Sequence, residues 1–454
     1  MGTQRTSGGR SQYDHVRAAA LDAIMLIQQG RQTEDAVGEA TSGRKLTPLD
    51  HRFVLQLVNG TTKMRRRLDH EIKFYLARPS IPLSPRLSNI LRLGFYQLLF
   101  TSRVPEAAAV SESVNLARKF LDDRQARLVN AVMRSRLRQP EKIHFADSRE
   151  DPAKYLADFY SYPSYFVEYC LKEFRFADTE RLLQNYNLPP TVTYRVNYLK
   201  CKPEEVTALL DEHNIAYTVG KYLPEFIHLS TSGLPLEDEL IKTGMVTVQS
   251  ESAGLPVRLL NPQPGMNVVD LTAAPGGKTT HAAIRMRNKG RLTAVDKSHF
   301  RLNMLVQNAE RMGIKIISPV VCDMIEFEGG PFDRVLLDPP CSGWGTAGKH
   351  ADLRWGKSLQ DINNLVKIQT AMIDRASRLV KPGGILVYST CSIIRKENDQ
   401  IVEEFLLRNK KFSIESAAAL VAKELVNDRG FCKTYPVMGD LDGAFCARLV
   451  RKQE

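Results

Sequence analysis

The chain has 454 residues, of which 43% are hydrophobic, and it is too long for one ordinary domain. Its seven cysteines are scattered without a CxxC pair, which argues against a disulfide scaffold or a structural zinc site and favours a reducing cytosol. The net charge of +12 lies mostly in residues 1–150, which carry a surplus of ten positive charges. This asymmetry indicates a polyanionic partner, RNA or DNA, with a solvated basic helix surface as the alternative.

Residues 1–13 are polar, and we expect a short flexible N-terminal segment without a secretion signal. No stretch of the sequence is apolar over the length that a membrane-spanning helix needs. We therefore expect a cytoplasmic protein with no membrane partner.

Residues 14–145 are predicted to form an all-α bundle, because their apolar residues recur at spacings of three and four. Turn-forming residues at 41–48 and 78–85 predict two breaks between helices. Residues 124–139 combine a core stripe with a basic flank, namely Leu128, Val129, Val132 and Met133 in the stripe and Arg127, Arg134 and Arg138 in the flank. We expect RNA phosphates to lie along such a flank. A run of three arginines at 65–67 either contacts phosphates or forms a solvated helix face.

Residues 146–240 differ in character, since an aromatic stretch, YSYPSYFVEY, is followed by strand-like runs after a proline break. They predict a small α+β module that links the flanking domains and contributes to RNA binding. Its tyrosine and phenylalanine side chains either stack on bases or pack in the core.

Residues 241–454 alternate short apolar runs with helical stretches, which predicts a parallel sheet covered by helices on both faces. In such sheets the ligand crevice lies beyond the carboxyl ends of the strands. This crevice is where we expect the chemistry.

Acids stand at or just after the ends of four predicted strands, at Asp270, Asp296, Asp323 and Asp338. The turn after the first acid contains two glycines and a lysine at 276–278, which lets backbone N–H groups approach a ligand. The turn matches no dinucleotide or P-loop pattern, so it does not signal a phosphate and suits a carboxylate instead. Asp296 is placed to accept both ribose hydroxyls, and Asp323 to accept from an adenine amine. The sequence therefore predicts a nucleoside-type cofactor.

A second constellation contains Asp338 and two cysteines. Pro339 and Pro340 end strand pairing, so Asp338 and Cys341 are predicted to project into the crevice, where Cys391 ends another strand. A thiolate here could add to C6 of a pyrimidine, so that C5 attacks an electrophilic methyl group while Asp338 hydrogen-bonds N3. The alternative is that each cysteine is a small buried side chain. No histidine lies at ligand spacing, so we expect no metal.

At these motifs the sequence resembles the RNA cytosine-5 methyltransferases of the NOL1/NOP2/Sun group. The resemblance is carried by DLTAAPGGKTTH, AVDKS, VVCDM, LLDPPCSGWGT, YSTCSI with ENDQIVEEF, and the terminal DGAFCARL. The front of the chain, through LRLGFYQLLF, RVPEAAAVSESVNLAR and LVNAVMR, resembles the NusB domain that precedes the methyltransferase in 16S rRNA enzymes of the RsmB (Sun/Fmu) type. Departures from the family pattern occur at Thr272, Pro339 and Ala444.

The resemblance implies a NusB-like helical domain, a middle module and a Rossmann-like methyltransferase domain that uses S-adenosylmethionine. It implies that Cys391 is the nucleophile, that Cys341 assists product release and that Asp338 contacts the cytosine; spacing alone does not assign the two thiols. The implied cofactor-binding residues are Thr272, Ala273, Ala274, Pro275, Gly276, Gly277, Lys278, Asp296, Asp323 and Asp338. The expected substrate is an unpaired or flipped cytosine in a stem-loop of 16S rRNA, and we expect a monomer.

Two alternatives remain at this point. One is a non-catalytic RNA-binding factor for ribosome assembly or antitermination, in which the rear domain only senses the cofactor. The other is methylation of an amino group, which the DPP sequence at 338–340 suggests. Neither needs the two cysteine thiols.

Overall fold

The structure is a computed structural model that describes residues 14–230 and 235–453. The predicted flexible segment at 1–13 lies outside the described residues. Within the described part of the chain, no helix combines the length and apolarity required to cross a bilayer.

The described residues fold into two compact units. The first unit runs to Asn187 and also contains Lys349–Gly356, and the second contains Leu188–Gly348 and the residues from Lys357 onwards. The domain boundaries that we place at 145 and 240 stay predictions.

The first unit is all-helical in its described residues, as the periodicity predicts for residues 14–145. In its described residues the longer helices are α1 (His15–Gln28), α2 (Thr33–Thr41), α3 (Pro48–Lys63), α4 (Arg65–Lys73), α5 (Pro85–Phe100), α6 (Glu106–Phe120), α7 (Asp123–Arg138), α8 (Pro152–Tyr160), α9 (Ser164–Glu173) and α10 (Phe176–Asn187). Short helical turns occur at Pro140–Lys142 and Leu353–Gly356.

The predicted breaks contain the capping residues that start the next helix. Thr47 precedes Pro48 and forms a capping box with Asp50, which satisfies the backbone N–H groups of both residues at the start of α3. Ser84 precedes Pro85 and accepts from the backbone N–H of Leu87 at the start of α5. The turn-forming stretches therefore act as helix start signals.

The core of the first unit is formed by the apolar faces of these helices. On α7, Val129, Val132 and Met133 are buried and Leu128 is partly buried, whereas Arg127, Arg134 and Arg138 are exposed. The predicted stripe and its basic flank are thus confirmed.

The second unit begins with a four-stranded antiparallel sheet of order β2-β3-β1-β4 in its described residues. Its strands and helices are β1 (Val192–Val196), α11 (Pro203–Glu212), β2 (Tyr217–Val219), β3 (Phe226–Leu229), α12 (Pro235–Lys242) and β4 (Val246–Val248). The small α+β module is confirmed as a fold.

A larger mixed sheet follows, with the order β10-β12-β9-β8-β5-β6-β7 and β11 paired to β12 in the described chain. Its elements are α13 (Glu251–Leu260), β5 (Asn267–Asp270), α14 (Gly277–Arg285), β6 (Arg291–Asp296), α15 (His299–Arg311), β7 (Ile317–Val321), β8 (Phe332–Leu337), α16 (Leu359–Arg378), β9 (Val380–Thr390), α17 (Asp399–Arg408), β10 (Phe412–Ile414), β11 (Cys432–Thr434) and β12 (Ala444–Arg451). The strands from β9 to β7 are parallel, and the β12 side is antiparallel.

Both faces of this sheet are covered by apolar side chains. On β8, Leu336 faces one core cluster while Val335 and Leu337 face the other. Because successive side chains of a strand point to opposite faces, a continuous apolar run is required to fill both cores. The Rossmann-like prediction is confirmed.

Close helix packing in the first unit can be tested at two helical glycines. A Cβ on Gly60 of α3 would collide with the ring of Tyr96, whereas a Cβ on Gly38 of α2 meets no atom within 4 Å. We expect Gly60→Ala to destabilise the protein by about 1–3 kcal/mol through overpacking. Gly38→Ala should stabilise it by up to about 1 kcal/mol through helix propensity. Calorimetric unfolding of both variants checks this, and a stabilised Gly60→Ala would contradict the packing.

Candidate active site

A cavity of about 550 Å³ lies at the carboxyl ends of the parallel strands. Its polar wall includes Thr272, Asp296, Asp323, Asp338, Cys341 and Cys391, and its apolar wall includes Met324, Ile325, Pro339, Pro340, Ile368 and Met372. Polar strand ends thus face one pocket, as expected for a parallel sheet, with apolar side chains able to contact a flat base.

The turn that follows β5 contains a glycine with a positive φ, and an arginine of β1 donates hydrogen bonds to the helix that begins after it. Gly276 has a φ of +108° and precedes α14, and a Cβ there would lie 2.8 Å from Cγ of Leu305. The buried Arg195 of β1 donates to the carbonyl of Gly277 (2.6 Å) and to the hydroxyl of Thr280 (2.9 Å). The small module therefore fixes the start of α14. Sequence reasoning missed this role of Arg195.

Three of the strand-end acids differ in their surroundings. Asp296 accepts from the backbone N–H groups of Ala274 (3.1 Å) and Ser298 (2.9 Å), and Asp323 is exposed at the cavity wall. Asp270 is buried and accepts from the hydroxyl of Thr279 (2.8 Å). Burial raises the pKa of Asp270 to about 6, against the opposing effect of the Thr279 hydrogen bond. Asp270 therefore orders the turn and does not line the cavity.

The predicted pair of thiols is present. The strands β8 and β9 are parallel neighbours with Leu337 opposite Tyr388, so the segments that follow them leave the sheet side by side. The Sγ atoms of Cys341 and Cys391 lie 3.2 Å apart, at hydrogen-bonding distance. Residues fifty positions apart in the sequence thus form one dithiol.

Asp338 connects the thiol segments to the turn after β5. Its carboxylate accepts from Nζ of Lys278 (2.5 Å) and from the hydroxyl of Ser389 (2.8 Å). Burial alone would lower the pKa of Lys278, but the charge of Asp338 outweighs it and raises that pKa. The lysine, which we predict from the sequence as a cofactor residue, thus has its ammonium group on Asp338. This long-range pairing has no signal in the local sequence.

The two thiols have different proton affinities. The hydrogen bond with Cys341 lowers the pKa of Cys391 against the effect of burial, and the positive charge of Lys278 acts in the same direction. The same hydrogen bond, together with burial, raises the pKa of Cys341 well above its ordinary value. Cys391 is therefore the thiol that ionises first.

Two glycines allow the loop after Cys341 to close against the C-terminal strand segment. Gly345 N–H donates to the carbonyl of Cys391 (2.9 Å), and Gly443 N–H donates to the carbonyl of Gly345 (2.8 Å). A Cβ on Gly443 would lie 2.7 Å from Cα of Gly345 and 2.5 Å from a methyl group of Ile393. The terminal DGAF sequence thus supports the thiol loops, which its spacing did not reveal.

The basic run at 65–67 is largely engaged within the first unit. Arg66 donates to Asp158 (2.7 Å), and Arg67 donates to Glu71 (2.6 Å) with its guanidinium 4.3 Å from the ring centroid of Phe159. These contacts favour an internal role for both side chains over phosphate binding. In the aromatic stretch, Tyr162 and Phe166 are buried, which favours core packing over base stacking.

Comparison with known proteins adds to this geometry. Residues 257–450 match the family described as 16S rRNA methyltransferase RsmB/F, residues 14–138 match the NusB family, and residues 162–234 match the ferredoxin-like domain of RsmF/B-like methyltransferases. A probable ribosomal RNA small subunit methyltransferase B of Bacillus subtilis (strain 168) is 30% identical over 446 residues, covering 96% of this chain and 99% of the relative. This chain belongs to the ribosomal RNA small subunit methyltransferase B family. The Synechocystis relative, also named as probable, is 35% identical over 86% of this chain and 89% of its own length.

Solved structures agree with the fold. The crystal structure of PH0851 has a TM-score of 0.77 at 27% identity and covers 96% of this chain and 98% of its own. A methyltransferase homologue from Pyrococcus horikoshii has a TM-score of 0.56 at 25% identity, over 65% of this chain and 97% of its own.

The family assignment decides between the enzyme and the non-catalytic assembly factor. The chain is an rRNA methyltransferase, and its family uses a methyl donor of the S-adenosylmethionine type. Across residues 14–230 and 235–453, no group of three or more His, Cys, Asp or Glu side chains is arranged to hold a metal ion.

The unequal thiols predict selective alkylation. Because thiolates react with iodoacetamide, Cys391 should be modified at a lower pH than Cys341. Cys341→Ala removes the hydrogen bond that lowers the pKa of Cys391, so alkylation of Cys391 should shift to higher pH. Cys391→Ala should instead shift alkylation of Cys341 to lower pH.

Peptide mass spectrometry across a pH series measures these shifts, with the partly exposed Cys322 as an internal control. Identical profiles for Cys391 in the wild type and in Cys341→Ala would contradict the pairing.

Proposed function

We propose that the protein methylates C5 of a cytosine in small-subunit rRNA through a covalent bond between Cys391 and C6. The observation that carries this proposal is the 3.2 Å separation of two thiols beside the Lys278–Asp338 ion pair. Methylation of an amino group needs no thiol. A paired nucleophile and second thiol, by contrast, match the needs of addition and elimination on a pyrimidine.

The cavity suits the methyl donor. Its volume of about 550 Å³ falls in the range of small-molecule sites. Asp296 would accept from ribose hydroxyls, Asp323 would accept from an exocyclic adenine amine, and the apolar wall suits a flat base. The turn from Thr272 to Lys278 would carry the amino-acid portion. When bound, S-adenosylmethionine supplies an electrophilic methyl group.

The first step uses the thiol with the lower pKa. The Cys391 thiolate adds to C6, the electron pair of the C5–C6 double bond moves to C5, and N3 gains a proton from solvent. The N3–H then donates to Asp338. The adduct is neutral at this point, and the carboxylate stabilises the positive charge that the ring gains when C5 takes up the methyl group. Carbon 5 forms a bond to the methyl group while the bond from that group to the sulfur of the methyl donor breaks, and the electron pair of the broken bond stays on the donor sulfur.

Release reverses the addition. The C5 proton passes to a base, N3 returns its proton, the C5–C6 double bond forms again, and the C6–S bond breaks with its electron pair on Cys391. We assign assistance in this elimination to Cys341, because its Sγ lies within hydrogen-bonding distance of the departing sulfur.

The substrate cytosine should be unpaired or flipped out, because C6 and C5 must be approached by two reactants and are covered in a stack. We expect a stem-loop element, with the exposed arginines of α7 among the candidate phosphate contacts. Cys341, Cys391 and Asp338 come from a single chain, and we propose a monomer that acts in the cytoplasm.

The reaction is tested by incubating a small-subunit rRNA transcript with purified protein and S-adenosylmethionine, followed by nucleoside mass spectrometry. We expect 5-methylcytidine from the wild type and none from Cys391→Ala. Methylation at N4, or undiminished 5-methylcytidine with Cys391→Ala, would overturn the proposal. Absence of product on naked rRNA directs the same assay to partly assembled subunits, and absence there too overturns it.

The roles of the thiols predict opposite covalent outcomes. Cys341→Ala should accumulate a protein–RNA adduct that survives denaturing electrophoresis, because addition proceeds while elimination is slowed. Cys391→Ala should form no adduct under the same conditions. An adduct trapped by Cys391→Ala would invert the assignment.

Asp338 gives a further prediction because its charge acts on both the ring and the thiol. Asp338→Asn should lower kcat by about 10²–10³-fold through loss of the contact to N3. Its negative charge also opposes ionisation of Cys391, so this variant should be alkylated at Cys391 at lower pH than the wild type. Loss of activity would then accompany a more acidic nucleophile.

A matched control is Asp333→Asn at the other end of β8, where the carboxylate pairs with Lys381. It should leave kcat unchanged. Equal losses in Asp333→Asn and Asp338→Asn would indicate general damage to the strand.

A further inference from the structure

A buried carboxylate lies beneath the two thiol segments. Glu397 has no exposed surface and accepts from the N–H of Ser342 (2.7 Å), the hydroxyls of Ser342 (2.5 Å) and Ser392 (2.6 Å), and the amide of Gln369 (3.1 Å). Among the residues that the structure describes, no lysine or arginine forms an ion pair with it. Its charge is therefore compensated by hydrogen bonds alone, a costly arrangement if stability were its only use.

The donors are arranged symmetrically about the dithiol. Each cysteine is followed by a serine, and the hydroxyls of Ser342 and Ser392 lie 3.1 Å apart on the same carboxylate oxygen. The thiols one residue earlier are 3.2 Å apart. The serine of each Cys-Ser dipeptide thus donates to the same carboxylate oxygen of Glu397, which gives a physical reason why a serine follows both cysteines.

The hydrogen bonds to Glu397 lie beyond the end of the pairing between β8 and β9. Pairing between β8 and β9 ends at Leu337 and Tyr388, before either cysteine. Beyond it, Gln369 of α16 donates both to Glu397 and to the carbonyl of Pro340 (2.9 Å). The carboxylate therefore links the two thiol segments and α16 beyond the point where the pairing between β8 and β9 has ended.

We propose that Glu397 is a positioning residue that sets the separation of Cys341 and Cys391 by binding the serine that follows each. This inference rests on the proposed function for its catalytic meaning. The separation itself is a property of the protein alone.

Phenylarsine oxide measures that separation without any reaction on RNA. Its arsenic forms bonds to two neighbouring thiols and releases its oxygen as water with their two protons, so one bridge requires both cysteines close together. In the wild type, peptide mass spectrometry should locate a bridging arsenic on Cys341 and Cys391, and Cys341→Ala should lose it. Glu397→Ala should lose the bridge, whereas Glu397→Gln, which keeps the length and an acceptor oxygen, should retain most of it.

Kinetics supply the second readout. Glu397→Ala should lower kcat for rRNA methylation by about 10²-fold, as expected for a misplaced reacting group, with KM for rRNA unchanged. Glu397→Gln should recover much of the loss. A matched control is Glu251→Ala, which removes another buried carboxylate held by the backbone N–H groups of Tyr222 and Leu223 (2.6 Å each). The Glu251→Ala variant should still form the arsenic bridge between Cys341 and Cys391.

Each outcome has one meaning. Bridging and kcat as in the wild type for Glu397→Ala would overturn the positioning role. If circular dichroism shows that Glu397→Ala is unfolded, the double variant Ser342→Ala/Ser392→Ala replaces it and should weaken bridging. The arsenic bridge could depend on Glu397 while the wild type makes no 5-methylcytidine. That result would refute the proposed function and leave the positioning role intact.

Discussion

The parallel pairing of β8 with β9 is the constraint on which the site depends. Their register places two chain segments, distant in sequence, at one edge of the sheet, and Pro339 and Pro340 then prevent further ladder formation. Beyond that edge the two segments are held together by the side chains around Glu397 and by the backbone hydrogen bond from Gly345 to Cys391. A strand slip of one residue would turn the segments to the opposite face and separate the thiols.

Charge at the site is organised around the partly buried ion pair of Lys278 and Asp338. Lys278 neutralises Asp338 and favours a thiolate on Cys391, while the neighbouring carboxylates oppose it. Because these charges are partly removed from water, their effect on the pKa values of the thiols depends on the distances between them. The hydrogen bonds of Glu397 are therefore suited to fixing the positions of the reacting groups. The hydrogen bonds of the buried Arg195 do the same for the turn after β5.

Much of this architecture follows from periodicity and strand-end chemistry, but its pairings do not. Alternating apolar runs predict the sheet, and turn residues such as Thr47 predict helix starts. The acids at strand ends form one regular set in the sequence, yet Asp270 is buried, accepts from the hydroxyl of Thr279 and does not line the cavity. Contacts between Lys278 and Asp338 depend on tertiary distances that local spacing cannot encode. The run at 65–67 likewise looks free in sequence and is engaged in three dimensions.

The short segment Lys349–Gly356 interrupts the second unit in sequence but belongs to the first. There Arg354 is fully buried over the ring of Tyr162 and donates to the carbonyl of Tyr186 (3.0 Å) and to Asn187 (2.7 Å). A fragment that ended at Asn187 would lack a piece of its own interior. The helical unit is therefore not a detachable module, and any recombination that exchanged it between relatives would have to carry eight residues embedded in the gene region of the catalytic unit.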